Sequence, residues 1–402
     1  MKTIITKNDT DKAAKILLSG GFVSVPTETV YGLAVNALNE KAVEKLYEVK
    51  GRPAIKPLSI MVSGKEDIEK YCENVPEQAY KLADKYWPGP LTIIMKASKV
   101  IPPIVRAGGE SIGLRCPNSQ KTLDIIKRAG IPLAVPSANP SGLPSPKNAE
   151  TVHSYFDGKI EMIVDGGICD LGIESTLIDM TVKPYRILRE GALPETEIAN
   201  TLVENLKVFG ITGGSGTGKT TALKFFEKKE AVVIDCDALY HELLDTDAEL
   251  NEELVKNFPG AEKNGKINRK LLGNIVFNDG DKLSILNKIT HKHVSESVDK
   301  IITNAAMCGK KIVVIDAYAI IESGISKKCS AIIGVTAETE IRINRIIKRD
   351  NISKEEAQLR INAQNDDAFY FNNCDYVIEN NTTEVDFSQK LEKVYKEEVV
   401  DE

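Results

Sequence analysis

The feature that most constrains the fold is the run GGSGTGKT at residues 213–220, just past the middle of a chain of 402 residues. An apolar, strand-like stretch precedes it, a helix-like stretch follows it, and the run matches G-x-x-x-x-G-K-[ST] in full. Glycines in such a loop let backbone N–H groups point at phosphate oxygens, the lysine neutralises the β/γ-phosphates, and the hydroxyl suits Mg²⁺. The sequence therefore predicts a nucleotide-binding P-loop. The predicted contacts to ATP and, at the last residue, to Mg²⁺ are Gly213, Gly214, Ser215, Gly216, Thr217, Gly218, Lys219 and Thr220.

The position of this loop predicts two domains, residues 1–203 and residues 207–402. A length of 402 residues favours two domains, because a single core stops growing at about 250–300 residues. The first half has short apolar strands broken by Pro and Gly, with helical stretches at 40–48, 76–85 and 118–128. That mixture predicts an α/β domain with a twisted mixed sheet. The second half alternates strands with long helical patterns, which predicts a parallel sheet flanked by helices.

Composition narrows the class of protein. The chain is 42% apolar and 27% charged, as in ordinary globular proteins. No apolar run approaches the ~18 residues of a membrane span, and the amino terminus lacks the pattern of a signal peptide. The seven cysteines are scattered without a CxxC pair, which favours reduced thiols rather than a zinc site. We therefore expect a cytoplasmic protein with no membrane segment.

Charge is uneven along the chain. Residues 1–206 carry equal numbers of basic and acidic side chains, so the second half holds the whole net charge of −6. Neither half has the basic excess of a dedicated nucleic-acid-binding protein. Direct contact with tRNA is left open by this pattern.

Acidic residues follow the next apolar stretch of the second half. In AVVIDCDALYHELL, Asp235 and Asp237 are two residues apart, which predicts two carboxylates on one face of a strand. At the carboxyl end of a parallel strand such a pair can accept a hydroxyl proton or anchor Mg²⁺-bound water. A helix cap or turn is the alternative for this pattern. Further along, LNKITHKHV contains two histidines, for which a solvated helix face is the default prediction.

Basic residues form a stripe near the carboxyl end. Arg342, Arg345 and Arg349 fall at i, i+3 and i+7 of a helix, with Arg360 and Gln364 on the next helix. Such a stripe is usually solvated surface. With few acidic partners on that face, it also suits a helical lid that closes over a transferring phosphoryl group.

In order and spacing, the second half resembles dephospho-CoA kinase over about residues 207–395. The shared parts are the P-loop, the D-x-D segment, the LN-x-[IL]-x-H segment, the arginine-rich lid and CDYVIENN. The resemblance implies ATP-dependent phosphorylation of the ribose 3′-hydroxyl of dephospho-CoA, with Asp237 as base and Mg²⁺-side carboxylate. It implies that Arg345 and Arg349 contact ATP, alongside Lys219. The residues implied to contact dephospho-CoA are Asp235, Asp237, His291, Glu322 and Arg360.

One segment departs from the family pattern. Where the family usually has an apolar V-P-L-L-[FV]-E, this chain has VVIDAYAIIE, which keeps Glu322 but places Asp316 and Tyr318 before it. Asp316 at a strand end can serve as a Walker-B-like carboxylate. A different small-molecule or nucleoside kinase stays open as an alternative acceptor class.

The first half carries polar residues in strand-like and turn-like segments. VPTETVYGL places Thr27, Thr29 and Tyr31 at alternate positions, EVKGRPAIKPLSI concentrates basic residues, and VPSANPSG is a Pro-bounded turn. Each segment alone is consistent with ordinary strand or turn chemistry.

Together these segments resemble the YrdC-like threonylcarbamoyl-AMP synthases over about residues 5–195. PTETVYGL, KGRP…KPL, WPGPLT, IGLRCP, PSANPSG, DGG…EST and REG occur in order. The resemblance implies that L-threonine, bicarbonate and ATP give threonylcarbamoyl-AMP and pyrophosphate, and that other proteins use this product to modify tRNA. Lys50 and Arg52 are the implied catalytic pair. The implied ATP- and threonine-binding residues are Thr27, Thr29, Tyr31, Lys50, Arg52, Lys56, Arg115, Ser137, Asn139, Ser175 and Arg189.

The sequence thus predicts a bifunctional enzyme with two separate ATP sites. Every participant in the implied first reaction is anionic, so that site mainly needs positive charge and oriented donors. The alternative is an RNA-binding module of the YrdC type fused to another P-loop kinase. The zero net charge of residues 1–206 argues against that alternative.

Overall fold

The structure, a computed structural model, describes residues 2–263, 266–277 and 279–399. The chain forms two compact units that divide between Glu204 and Asn205, with the short segment Met307–Gly309 grouped with the first unit. Each unit has its own sheet.

The first unit is built on a ten-stranded mixed sheet with the order β1-β8-β2-β3-β7-β4-β6-β5-β9-β10. Its strands are β1 (Ile4–Thr6), β2 (Val23–Val25), β3 (Gly32–Asn36), β4 (Ser59–Met61), β5 (Leu91–Lys96), β6 (Ser111–Arg115), β7 (Leu133–Ala134), β8 (Met162–Val164), β9 (Thr176–Asp179) and β10 (Arg186–Arg189). Its helices are α1 (Thr10–Leu18), α2 (Glu40–Lys50), α3 (Ile68–Tyr71), α4 (Glu77–Tyr86), α5 (Gln120–Ala129), α6 (Ala149–Phe156) and α7 (Glu195–Glu204). Parallel pairs such as β4–β6 and β5–β9 alternate with antiparallel pairs such as β5–β6, so the predicted mixed sheet is confirmed.

Local signals explain the helices of the first unit. Asp9 caps α1 by accepting a hydrogen bond from the Lys12 backbone N–H at 3.1 Å, and Leu17 on its inner face is fully buried. Helix α2 ends at Lys50 because Gly51 takes a left-handed conformation (φ 59°), which L side chains rarely adopt. The three helices predicted in this half are present as α2, α4 and α5, with ends shifted by one or two residues.

The second unit is built on a five-stranded sheet with the order β12-β15-β11-β16-β17, and every neighbouring pair is parallel. Its strands in this sheet are β11 (Lys207–Thr212), β12 (Val232–Asp235), β15 (Ile312–Asp316), β16 (Ala331–Thr336) and β17 (Tyr376–Glu379), and a separate hairpin is formed by β13 (Glu262–Lys263) and β14 (Lys266–Ile267). Its helices are α8 (Lys219–Lys228), α9 (Cys236–Thr246), α10 (Ala248–Asn257), α11 (Arg269–Val276), α12 (Gly280–Met307), α13 (Thr339–Asp350), α14 (Lys354–Asn362), α15 (Asp367–Asn373) and α16 (Glu384–Val399). The predicted parallel sheet flanked by helices is confirmed.

The central strand of this sheet positions the P-loop. Strand β11 lies between β15 and β16, and α8 begins at Lys219, directly after the glycine-rich turn. Phe226 on α8 packs against Phe209 on β11 with ring centroids 5.2 Å apart, and both side chains are fully buried. This packing holds the strand, the loop and the helix as one unit.

The helical lid consists of α13 and α14. Ile343 and Ile346 of α13 form a small apolar core with Ala357 and Ile361 of α14. Ser353 and Glu356 form a capping box that starts α14. Helix α14 ends at Asn362, so the prediction that Gln364 belongs to it is wrong: the chain turns before that residue.

Candidate active sites

The P-loop of the second unit has the backbone that anion binding requires. Gly213, Gly216 and Gly218 have φ values of 147°, 78° and 112°. A Cβ at Gly213 would lie 2.3 Å from the carbonyl oxygen of Val335, so the neighbouring strand leaves room only for glycine. The loop ends at the N-terminus of α8, where backbone N–H groups and the helix dipole favour a phosphate.

Lys219 lies folded over this loop. Its Nζ donates to the carbonyl oxygen of Gly213 at 2.6 Å and lies 3.4 Å from that of Gly214. Burial lowers the pKa of Lys219, while the nearby Asp316 opposes the shift. Thr220, in the first turn of α8, has an exposed side chain.

Arginines of the lid contact the P-loop directly. Arg342 Nε donates to the Ser215 carbonyl at 3.0 Å, and its Nη2 donates to Gln364 Oε1 at 2.8 Å. Arg345 Nη1 donates to the carbonyl oxygens of Gly216 and Thr217 at 3.1 and 3.2 Å. Arg342 is only 5% exposed. The default of a solvated stripe is therefore wrong for Arg342, because it packs on the loop instead of facing water.

Two other arginines of the lid share one carboxylate. Arg349 Nε donates to Asp350 Oδ1 at 2.7 Å, and Arg360 Nη1 donates to Asp350 Oδ2 at 2.6 Å. The charge of Arg349 also lowers the pKa of Lys219, so Arg349 lies close enough to the P-loop to act on it electrostatically. Asp350 thus holds two guanidinium groups together at the edge of the lid.

The carboxylates lie at the carboxyl edge of the sheet, but not in the predicted arrangement. Strand β12 ends at Asp235, whose side chain caps α9 by accepting from the Ala238 N–H at 2.9 Å. Asp237 lies in the first turn of α9. The prediction that Asp235 and Asp237 share one strand face is wrong, because the period of two ends where the helix begins.

Asp316 joins this group from the neighbouring strand. It ends β15 and pairs in register with Asp235 of β12 and Ile211 of β11. Burial raises the pKa of Asp316 to about 6, and the charges of Asp235 and Asp237 push it the same way, while Lys219 opposes them. Three carboxylates therefore lie close to one another with one ammonium group nearby, an arrangement that a divalent cation would stabilise.

A cavity of about 230 Å³ opens beside these carboxylates. Asp237, Tyr240, Asn287, His291 and Tyr318 contribute to its wall. Burial lowers the pKa of His291, which favours the neutral imidazole. The predicted residues Asp237 and His291 thus meet in one cavity.

Glu322 and His293 lie elsewhere. Glu322 accepts a hydrogen bond from Asn365 Nδ2 at 3.3 Å and is near enough to His291 to raise its pKa slightly against burial. His293 is 3% exposed and lies between Asp247 and Glu253, with ring nitrogens 3.0 and 3.1 Å from their oxygens. The predicted solvated face is therefore wrong for His293, which takes part in the packing of α12 against α10.

The first unit has a cavity of about 280 Å³ that collects residues from distant segments. The predicted site residues in its wall are Arg52, Arg115, Ser137, Ser175 and Arg189. Among the residues of the wall the charged side chains are these three arginines and Glu174, so the cavity carries a positive excess. Such a lining suits an anionic ligand with several phosphate or carboxylate oxygens.

Arg115, one of the residues that line this cavity, is held by several hydrogen bonds. Its Nη2 donates to Glu28 Oε1 at 2.7 Å and to Thr29 Oγ1 at 2.9 Å, and its Nε donates to the Gly89 carbonyl at 3.1 Å. Arg115 and Glu28 are 6% and 7% exposed, so the pair is buried. Burial lowers the pKa of Arg115 and the charge of Glu28 raises it; the guanidinium stays protonated.

Arg189, Ser175 and Arg52 also line this cavity. Arg189 Nη2 donates to the Ser175 carbonyl at 2.8 Å, and its Nη1 bonds to Glu174. Ser175 Oγ lies 2.8 Å from Thr92 Oγ1 on β5. Arg52 is oriented by its bonds to the carbonyl oxygens of Lys56 and Pro57 at 3.3 and 2.8 Å.

The other predicted residues of this unit lie behind the cavity or outside it. Lys50 is 3% exposed, and its Nζ donates to the carbonyl oxygens of Ser137 and Asn139. Burial lowers the pKa of Lys50 to about 7. Tyr31 donates from its hydroxyl to the Gly167 carbonyl at 2.8 Å. Lys50 thus contacts the backbone of the lining residue Ser137, whereas Tyr31 bonds to a segment outside the cavity wall.

Four more predicted residues are outside the set that lines the cavity: Thr27, Thr29, Asn139 and Lys56. Thr27 Oγ1 lies 2.8 Å from Thr29 Oγ1, and both threonines are buried. Asn139 Oδ1 accepts from Ser137 Oγ at 2.6 Å, which fixes the turn that presents Ser137 to the cavity. The side chain of Lys56 is exposed, and Lys56 is not among the residues that line the cavity.

Sequence reasoning missed Glu28, Glu174 and Thr92. All three lie inside the quoted motifs PTETVYGL, DGG…EST and WPGPLT. Residues 26–31 connect β2 to β3 and form no strand, so the strand-like alternation of Thr27, Thr29 and Tyr31 is not realised, and Glu28 lies in this connection. Its partner could not be read from the sequence, because Arg115 lies 87 residues further on.

Within residues 2–263, 266–277 and 279–399, no helix has the length and apolar character needed to cross a membrane. The same residues contain no group of three or more His, Cys, Asp or Glu side chains arranged to hold a metal ion.

Fold and sites together define a chain of two α/β units, a P-loop unit with a helical lid and a mixed-sheet unit with an arginine-lined cavity. Residues 15–191 match the Sua5/YciO/YrdC family model, described as "Telomere recombination". Residues 207–386 match the family model "Dephospho-CoA kinase". The chain belongs to both families, one in each half, and both predicted resemblances are confirmed.

Relatives match one half each. A threonylcarbamoyl-AMP synthase of Pyrococcus abyssi is 45% identical over 192 residues, covering 48% of this chain and 56% of the relative. A putative threonylcarbamoyl-AMP synthase of Methanocaldococcus jannaschii is 41% identical over 186 residues, covering 46% of this chain and 86% of the relative. A dephospho-CoA kinase of Lactobacillus johnsonii is 34% identical over 190 residues, covering 47% of this chain and 96% of the relative. The chain spans about half the length of the first synthases that it matches.

Proposed function

We propose that the chain is a bifunctional enzyme whose domains are residues 1–203 and 207–402. The second domain transfers the γ-phosphoryl group of ATP to the 3′-hydroxyl of dephospho-CoA, and the first makes threonylcarbamoyl-AMP. The observation that carries the proposal is that each unit has its own charged cavity, built from the motif residues of its own family.

In the kinase domain, the P-loop N–H groups and Lys219 bind the β- and γ-phosphates. Asp237 borders the acceptor cavity and accepts the proton of the 3′-hydroxyl as its oxygen bonds to phosphorus. Arg345 and Arg349, on the lid, balance charge on the transferring group. His291 and Arg360 contact the acceptor or its phosphates. Mg²⁺, when bound, neutralises phosphate charge; Thr220 and, through water, Asp237 and Asp316 would hold it.

The kinase proposal is tested by incubating the full chain with ATP, MgCl₂ and dephospho-CoA and separating the products by mass. Coenzyme A and ADP in equal amounts are expected. Phosphorylation of a nucleoside in place of dephospho-CoA would instead favour another small-molecule kinase.

In the synthase domain, the amine of L-threonine captures CO₂ from bicarbonate as a carbamate, whose oxygen attacks the α-phosphorus of ATP and expels pyrophosphate. Arg52 and Arg189 stabilise the phosphates, and Arg115 with Ser175 holds the amino acid. Ser137 fixes the adenylate. Lys50 and Asn139 act from behind the wall by shaping the turn that presents Ser137.

The synthase proposal is tested by measuring pyrophosphate release from ATP. We expect release only when L-threonine and bicarbonate are both present. A tRNA-binding titration across a salt series checks the RNA-binding alternative, since tight and strongly salt-dependent binding by the chain would favour it. We further propose that tRNA-modifying proteins consume the product and that the enzyme works in the cytoplasm.

A further inference from the structure

Two tyrosines line the kinase cavity, and neither family pattern gives them a role. Tyr240 and Tyr318 both line it, together with Asp237 and His291. Tyr240 lies three residues after Asp237 on α9, so the two side chains share one helix face. Tyr318 lies two residues after Asp316, the end of β15, and is 39% exposed.

The chemistry of the acceptor places its base in this cavity. The 3′-hydroxyl must come within hydrogen-bond reach of Asp237 for its proton to be accepted. The adenine is attached to the same ribose ring, only a few bonds from that hydroxyl. The base therefore lies close to Asp237, within reach of side chains that line the same cavity.

We propose that Tyr240 and Tyr318 hold the adenine of dephospho-CoA by stacking in this cavity. The inference rests on the proposed kinase function and adds the residues that recognise the base. Aromatic rings bind any base through its π-face, and such stacking contributes about 1–3 kcal/mol per base. Burial raises the pKa of Tyr240, so its ring is neutral at physiological pH.

The backbone of Tyr318 is tied to the P-loop strand by a hydrogen bond. Tyr318 holds its backbone in place through its carbonyl oxygen, which accepts from Thr212 Oγ1 on the P-loop strand at 3.1 Å.

The experiment compares Tyr240→Leu, Tyr318→Leu and the matched ring-preserving variants Tyr240→Phe and Tyr318→Phe in the full chain. The KM for dephospho-CoA, the KM for ATP and kcat are measured for each, with the melting temperature as a check on folding. We expect each Leu variant to raise the KM for dephospho-CoA about tenfold, while the KM for ATP stays within twofold. The Phe variants should stay within threefold of wild type in every constant.

The outcomes separate the two claims. A wild-type chain that makes no coenzyme A overturns the kinase function and the stacking role together. A wild-type chain that makes coenzyme A, with Leu variants whose KM for dephospho-CoA is unchanged, overturns the stacking role alone. If a Leu variant does not fold, its Phe partner decides: a Phe variant that loses acceptor binding contradicts recognition by the ring.

Discussion

The two units bind phosphate in different ways. The second unit uses the backbone: a run of glycines with positive φ turns N–H groups inward at the start of α8. The first unit uses side chains: Arg52, Arg115 and Arg189 reach one cavity from three separate segments. A phosphate site made of backbone N–H groups can be encoded in eight consecutive residues. A site made of side chains from separate segments requires the whole sheet to be folded first.

The charged groups around the two predicted phosphate-binding sites also differ. Arg115 has a buried carboxylate partner in Glu28, which fixes its geometry before any ligand arrives. Lys219 instead lies near the carboxylates of Asp316 and Asp237, and the pKa of Asp316 is raised to about 6. Arg115 is therefore paired with a counter-charge before any ligand binds, while the carboxylates of the second site repel one another until a cation binds.

The largest effect is expected at Asp237. Asp237→Asn removes the proposed base and should lower the kcat for coenzyme A formation by about 10²–10⁴-fold, with the KM for ATP unchanged. Asp235→Asn is the matched control, because Asn caps a helix as well as Asp and leaves the start of α9 intact. Equal losses in both variants, measured by steady-state kinetics, would contradict the assignment of Asp237 as base.

The first site should be less sensitive, because its charge is shared among several arginines. Arg52→Ala should lower threonine-dependent pyrophosphate release by about 10- to 100-fold, the range expected when a charged hydrogen bond is lost. Lys56→Ala, four residues away but outside the cavity wall, should change the rate less than threefold. If the Lys56 variant loses more activity than the Arg52 variant, the cavity has been assigned to the wrong residues.

The buried pair of Arg115 and Glu28 should control stability. Glu28→Gln leaves the Arg115 charge buried without a counter-charge and should cost about 3 kcal/mol of unfolding free energy. Trp87, the single tryptophan of the chain, lies in this unit, so its fluorescence during urea unfolding reports the loss. The control is the exposed Glu44→Gln, which should change stability by less than about 0.5 kcal/mol. An unaltered midpoint for Glu28→Gln would mean that the pair is not buried in solution.

The smallest effect is a pH-dependent gain of stability in the second unit. The pKa of Asp316 is raised from 3.8 to about 6, so this carboxyl binds its proton more tightly in the folded state. Its ionisation therefore costs stability above about pH 6 and costs none below about pH 4. Asp316→Asn should raise the melting temperature of this unit by a few degrees at pH 7.5, with the gain fading as the pH falls to 4. Calorimetry at both pH values tests this, and a gain that grows on acidification has the wrong sign.

The same contrast explains what could be predicted from the sequence. The P-loop and both sheet types follow from contiguous patterns, as does the existence of α2, α4 and α5. The arrangement of Asp235 and Asp237 could not be predicted, because a D-x-D spacing fits a strand face and a helix cap equally well. Only the helix start at Cys236 decides between them.

Side-chain partners across the fold were the least predictable. Arg342 lies in a regular stripe, and nothing in that spacing shows that it packs on Ser215, 127 residues earlier in the chain. Glu28 lies inside a recognised motif, yet its role depends on Arg115 at the end of β6. Local periodicity encodes which face a residue occupies, whereas its contacts follow from the order of the strands.

The most direct test of two separate ATP sites on one chain is to assay both reactions in a single preparation of the Lys219→Ala variant. We expect coenzyme A formation to fall by at least about 10²-fold, because the P-loop loses its ammonium group. Pyrophosphate release that requires L-threonine and bicarbonate should stay within twofold of wild type. Loss of both activities in a variant that remains folded would contradict two separate sites, because it would mean that the two reactions share one nucleotide site.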